Sequence, residues 1–130
     1  MSDPIVFISH SRVREGKLEA LKEMTETAMP VIEAEKPGTV MQHGYLNDEG
    51  TEIHFVHIFP DAEAMNAHMV GVSERSQKAF EFIETEGFEV YGTTSEAVLS
   101  ALRQAPGVDV VVKPLSVGGF IRLEAAAQDS

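Results

Sequence analysis

Three of the chain's five histidines, His54, His57 and His68, fall within the stretch IHFVHIFPDAEAMNAH (53–68), and imidazole is the side chain best suited to exchange a proton near neutral pH. His54 and His57 lie three apart in a segment rich in β-branched and aromatic residues. Side chains alternate faces along a strand, so these two point to opposite sides of a sheet and cannot chelate one ion. There is no HExxH, and no carboxylate–histidine pair at helical spacing to complete a three-ligand site, so no metal is expected. His68 differs, because it falls between Met65 and Met69 on the apolar stripe of a helix. Two readings stay open for it. A core imidazole must find a partner, such as a strand carbonyl or Ser9. A pocket imidazole, projecting between helices and sheet with a pKa near neutrality, can take or hold a proton. His10 and His43 are isolated strand histidines, expected at a surface or an interface.

The elements that must hold these groups are local in the sequence. IVFISHS (5–11) reads as a strand, and Leu18, Leu21, Thr25, Ala28 and Ile32 then recur at helical intervals, with Pro30 predicting a kink or an early end near Met29. TVMQHGYL (39–46) and EIHFVHIF (52–59) flank NDEG, a hairpin turn. Pro60 ends the second of these strands and Asp61 caps a helix whose stripe runs Met65, His68, Met69, Val72, Ser76, Ala79, Phe80 and Ile83, with Gly71 placed to divide it. After it come a short extended piece, FEVYG, a short third helix for which Thr93 and Glu96 have capping-box spacing, and a last strand region broken at Pro114 or at Gly118–Gly119.

The order predicts an α+β, ferredoxin-like split βαβ sandwich: an antiparallel sheet with two long helices on one face and an extra short helix before the last strand. The other face carries large apolar residues and has no helix left to cover it. A second copy of the chain is the simplest cover, so a homodimer through the sheet face is expected.

At 130 residues the chain is expected to form a single domain (1–130), with its core at about 5–84 plus the strand region 107–123 and disorder only at Met1–Asp3 and Glu124–Ser130. The net charge of −11 disfavours nucleic acid, which needs a basic face. No apolar run is long enough for a membrane span or signal peptide, and the absence of cysteine removes disulfides and thiolate chemistry, so a cytoplasmic location is expected. VGG (117–119) lacks the strand–loop–helix setting of a phosphate cradle, and Ser73 and Ser76 lack a nucleophile elbow.

The runs VREGKLEAL (13–21), EAEKPGTV (33–40) and HFVHIFPDAEAMNAH (54–68) resemble the antibiotic biosynthesis monooxygenase family of dimeric α+β barrels, over roughly residues 5–84 with a looser last strand. The resemblance implies a pocket between sheet and helices in each protomer. It also implies oxidation by O₂ of a small aromatic, phenol or quinol-like ligand, with neither metal nor flavin as cofactor. His68 matches the family's pocket position and is the expected catalytic residue, with Ser9, Phe55, His57 and Met65 as substrate-binding walls. Haem-degrading relatives carry an Asn, a Trp and a histidine iron ligand where this chain has Ser9, His68 and no histidine within Glu74–Lys78, so haem degradation is not expected. The alternative is a non-catalytic, small-ligand-binding or stress-related dimeric barrel.

Overall fold

The structure is a computed structural model that describes residues 3–122. Alternating β-branched, aromatic and small residues in IVFISHSRV form strand β1 (Ile5–Val13). Helix α1 (Leu18–Glu35) continues past Pro30 and does not end near Met29. Of its eighteen residues only Leu21 and Ile32, towards opposite ends, are buried. Strands β2 (Met41–Leu46) and β3 (Glu52–Phe59) make the expected hairpin. Asn47 closes its turn by accepting from the Thr51 and Glu52 N–H groups at 2.9 and 3.1 Å, and Gly50 takes a φ of +70° that a larger residue would resist.

Asp61 caps α2 (Ala62–Met69), accepting from the Ala64 N–H at 2.8 Å. Gly71, at a φ of +80°, then breaks the helical stripe, and α3 (Val72–Ala79) buries none of its residues. Ile83 does not close that helix. It begins β4 (Ile83–Tyr91), a full strand where only a short extended piece is expected. Helix α4 (Glu96–Arg103) is capped by Ser95, whose hydroxyl accepts from the Val98 N–H at 3.2 Å, while Thr93 instead donates to the Pro114 carbonyl. Strand β5 (Asp109–Lys113) stops at Pro114, and no second strand forms over 115–122. Leu123, Met1, Ser2 and 124–130, which carry part of the last-strand and disorder expectations, lie outside the described residues.

The strands are ordered β2-β3-β1-β4-β5. The first four pair antiparallel in the ferredoxin-like arrangement. β5 adds to β4 in parallel, which requires a crossover, and α4 is that crossover. The sheet is therefore mixed rather than wholly antiparallel, and one long helix plus a divided one replace the two long helices expected. All four helices pack on one face. Met65, Val98 and Leu102 join Ile5, Phe7, Phe59 and Val90 in one cluster, and Leu21 joins Val13, Ile53 and Ile83 in another, which Ala79 of α3 also touches. Among the described residues no helix is long and apolar enough to cross a membrane.

Candidate functional site

Register decides which histidines meet. Directly paired residues of antiparallel strands share a face, and His57 pairs with Phe7, Ser9 with Phe55, and Ser9 with Phe88. Phe7 and His57 are buried beneath the helices, so Ser9, Phe55 and His57 all face that side. His54 pairs with His10 on the opposite face, with ring centroids 4.0 Å apart. The structure thus brings His57 and His68 together, at 5.3 Å between centroids and nearly perpendicular, and separates both from His54. Met65 lies one helical turn before His68 and is wholly buried; its sulfur accepts from the Thr94 hydroxyl at 3.2 Å.

Phe7 flanks His57 at 5.0 Å and Phe59 flanks His68 at 5.1 Å. The two imidazoles are 6% and 3% exposed, so neither meets solvent directly. Burial lowers the His57 pKa to about 4, although the Phe7 carbonyl works in the opposite direction. For His68 burial acts together with His57, Arg75 and Lys36 to lower the pKa to about 3, well below the neutral value that the sequence suggests. Both rings are neutral at physiological pH. His57 Nδ1 lies 3.1 Å from the Phe7 carbonyl, which can only accept. The proton therefore sits on Nδ1, and Nε2 of His57 carries the free lone pair. His68 Nδ1 bonds the hydroxyl of Thr39 at 2.7 Å, a partner other than Ser9 or a strand carbonyl.

Two cations that sequence reasoning passed over hold this corner. The last carbonyls of α2 lack helical partners, as at every helix end, and side-chain donors can satisfy them. Lys36 donates to the carbonyls of Ala67 and Val70 at 3.0 and 2.9 Å, and Arg75 to that of His68 at 2.8 Å. These bonds fix the C-terminal turn of α2, and with it His68, against the loop that carries Thr39. The sequence signal was present in KPGT (36–39), but it pointed only to a helix stop.

The histidine pair also sits near a break in the core. The two apolar clusters are separate, and the inner face between them carries Ser9, Ser11 and Gln42. Ser11 Oγ, Gln42 Oε1 and, on the underside of α1, Thr25 Oγ1 are buried without a hydrogen-bond partner among the described residues. Buried polar atoms are nearly always bonded, so these three are exceptions to the usual rule. On the flank of α1 an open groove of about 430 Å³ runs between Met24, Thr27, Ala28 and Phe82. Met24 and Phe82 also pack on the second cluster, so the groove lies beside that cluster, and its lining includes none of Ser9, Phe55, His57, Met65 and His68.

No family model matches the sequence, and no curated protein is similar to it. Solved structures do match. MupZ from Pseudomonas fluorescens aligns over 95% of this chain and 98% of its own, with a TM-score of 0.74 at 20% identity. SnoaB, a cofactor-independent oxygenase from Streptomyces nogalater, aligns over 72% of this chain and 96% of its own, with a TM-score of 0.54 at 14% identity. A Bacteroides thetaiotaomicron protein provisionally classed as an antibiotic biosynthesis monooxygenase aligns over 65% and 84%, with a TM-score of 0.55 at 15% identity. The chain has the antibiotic-biosynthesis-monooxygenase fold. MupZ matches along nearly the whole chain and the other two over its larger part.

Proposed function

We propose that the chain is a cofactor-independent oxygenase acting on a small, electron-rich aromatic compound of the phenol or quinol type, in a pocket that opens between α1 and the sheet. The carrying observation is the neutral His57–His68 pair held by Thr39 and the Phe7 carbonyl beside a partly polar layer. SnoaB, of the same fold, is itself a cofactor-independent oxygenase. In such chemistry the protein has to bind the ring, take its proton and exclude water while O₂ accepts electrons from the resulting anion. His68 is the proposed proton acceptor, Ser9, Phe55, His57 and Met65 are the proposed walls, and the bare Nε2 of His57 is a second acceptor next to it. A phenol of pKa about 10 facing His68, of pKa about 3, sets a gap of about seven units, or about 9.5 kcal/mol. That fits beneath the barrier of roughly 17 kcal/mol for one turnover per second, and a phenolate beside the ring reduces the gap further.

The test is O₂ consumption with a panel of phenols and quinols, with ligand-dependent thermal protection measured in parallel. Wild-type turnover that falls by about 10² to 10⁴-fold in His68→Ala, with the fold retained, supports the reading. Unchanged turnover in His68→Ala removes the residue from catalysis. The burial of His68 at 3% exposure favours a second reading, a non-catalytic binder of a small ligand, which predicts thermal protection without O₂ uptake.

The helix-free sheet face, with Val6, Ile8, Val56 and Ile58 half-buried, is the proposed contact between two copies of the chain. A cytoplasmic homodimer with no further cofactor completes the proposal.

A further inference from the structure

The segment that follows β5, KPLSVGGFIR (113–122), is anomalous in two independent ways. Its large apolar side chains are the most exposed described in the molecule: Leu115 is 85%, Val117 102% and Phe120 83% accessible. Apolar residues of this size exposed together within six positions mark an interaction surface. Its charge is also opposite to that of the rest: Lys113 and Arg122 are its ionisable groups, with no acidic residue between them, in a chain of net charge −11. Arg122 lies 5.1 Å over the ring of Phe120, so cation and aromatic form one element.

The helix-free face of the sheet has the complementary character. Val6, Ile8, Val56 and Ile58 form its half-buried apolar rows, and at its margin the carboxylates of Glu52, Glu84 and Glu86 outnumber the guanidinium groups of Arg12 and Arg14, which bridge to Glu84 and Glu86 and leave a net negative charge. The segment leaves the sheet from β5, whose Val111 is exposed on that same face beside Glu89. Segment and face are therefore contiguous in one chain. A two-fold arrangement then lets each copy cover the other's face with its own segment, which is the self-complementarity an isologous pair requires.

We propose that residues 114–122 form an arm that docks on the helix-free sheet face of a second copy, Leu115, Val117 and Phe120 covering its apolar rows and Arg122 meeting its acidic margin. The inference rests on the pairing of copies through that face proposed above. It adds the part of the chain that makes the pair stable.

Light scattering of the full chain over a concentration series, compared with the triple variant Leu115→Ser/Val117→Ser/Phe120→Ser, reads the effect. The three side chains are exposed in the protomer, so the variant keeps its fold and its circular dichroism. The expected result is a wild-type dimer whose dissociation constant rises by roughly a hundredfold or more in the variant. Because the chain contains no cysteine, position can be read directly. Val117→Cys in a chain carrying a size tag and Val56→Cys in an untagged chain should give a mixed disulfide-linked species on oxidation. A monomeric wild type overturns both the arm and the pairing of copies. A wild-type dimer whose affinity the triple variant leaves unchanged overturns the arm alone. A Val117→Cys/Val56→Cys double variant that closes only within one chain overturns docking in trans.

Discussion

Acidification from pH 7.5 to 5 should cost this protein about 4 kcal/mol of folding stability through two buried imidazoles. An unfolded histidine titrates near 6.5, whereas folding holds His57 at about 4 and His68 at about 3. Between 6.5 and 4 the unfolded chain binds protons that the folded chain refuses, so stability is complete above 6.5 and falls as pH drops. At pH 5 each group sits about 1.5 units below its unfolded pKa and still above its folded one, which gives about 2 kcal/mol per histidine. The size of this loss does not depend on the folded values so long as both stay below 5. Lys36 and Arg75 oppose protonation of His68. Glu89, whose pKa is lowered chiefly by the Tyr91 hydroxyl, titrates below the window. Urea unfolding at pH 7.5, 6.5, 5.5 and 5.0 and one fixed protein concentration measures the loss, which is a large share of the roughly 5–15 kcal/mol available to a domain. His57→Gln/His68→Gln should start lower at pH 7.5 and lose most of the slope. A wild type that loses less than about 1 kcal/mol by pH 5, or a double variant with an unchanged slope, would refute the buried neutral pair.

Thr39→Val removes the partner of His68 Nδ1 and should cost about 1–3 kcal/mol in urea unfolding, with a larger proportional loss in any His68-dependent turnover; a neutral effect would separate Thr39 from the site. Gly92→Ala places a Cβ 2.9 Å from the Pro4 carbonyl at a φ of +110°, and should lower the melting temperature by several degrees, in contrast to Gly107→Ala, where nothing lies within 4 Å and only the φ of +71° opposes the change. Asp61→Ala deletes the α2 cap for about 1 kcal/mol, a loss that Asp61→Asn should largely restore. Thr25→Val replaces a buried hydroxyl that has no partner among the described residues with a methyl group and should leave stability unchanged or raise it by up to about 1 kcal/mol; a clear loss would mean that the hydroxyl has a partner.

The arrangement of the first four strands was legible because each signal in it is local: Pro60 with Asp61, NDEG with its Asn47 and Gly50, and alternation along β1 and β3. β4 was half hidden. Ile83 extends the helical stripe of the preceding segment as well as it begins a strand, and the period-two pattern that betrays the strand, Glu84, Glu86 and Glu89 against Ile83, Phe88 and Val90, is interrupted by a register shift opposite His10–Ser11. At the site, the opposite orientation of His54 and His57 followed from strand geometry, but not which one faced the helices, since a one-residue slip exchanges the faces. The pairing of His57 with Phe7 settles that, and it is a long-range fact. Thr39, Lys36 and Arg75 were missed for the same reason: each acts on α2 from a separate loop or helix, and only the folded backbone brings them there.

The polar layer between the two core clusters bears on why this chain keeps imidazoles where neighbouring positions keep Phe7, Phe59 and Met65. An apolar residue in place of each histidine would remove the acid sensitivity and the need for the Thr39 and Phe7 carbonyl bonds. Packing alone therefore favours replacing both, and the same holds for Ser11 and Thr25, whose hydroxyls have no partner among the described residues. What opposes replacement is position. His57 lies on the sheet face that α1 also covers and His68 meets it from α2, while α1 fully buries only Leu21 and Ile32 and adds Met24 to the second cluster, a thin cover for its length. A bonded but neutral imidazole pair in so thinly covered a layer is a poor core, and a poor core is what the proposed binding site would require. The stability given up at the layer is the physical counterpart of the function proposed for it.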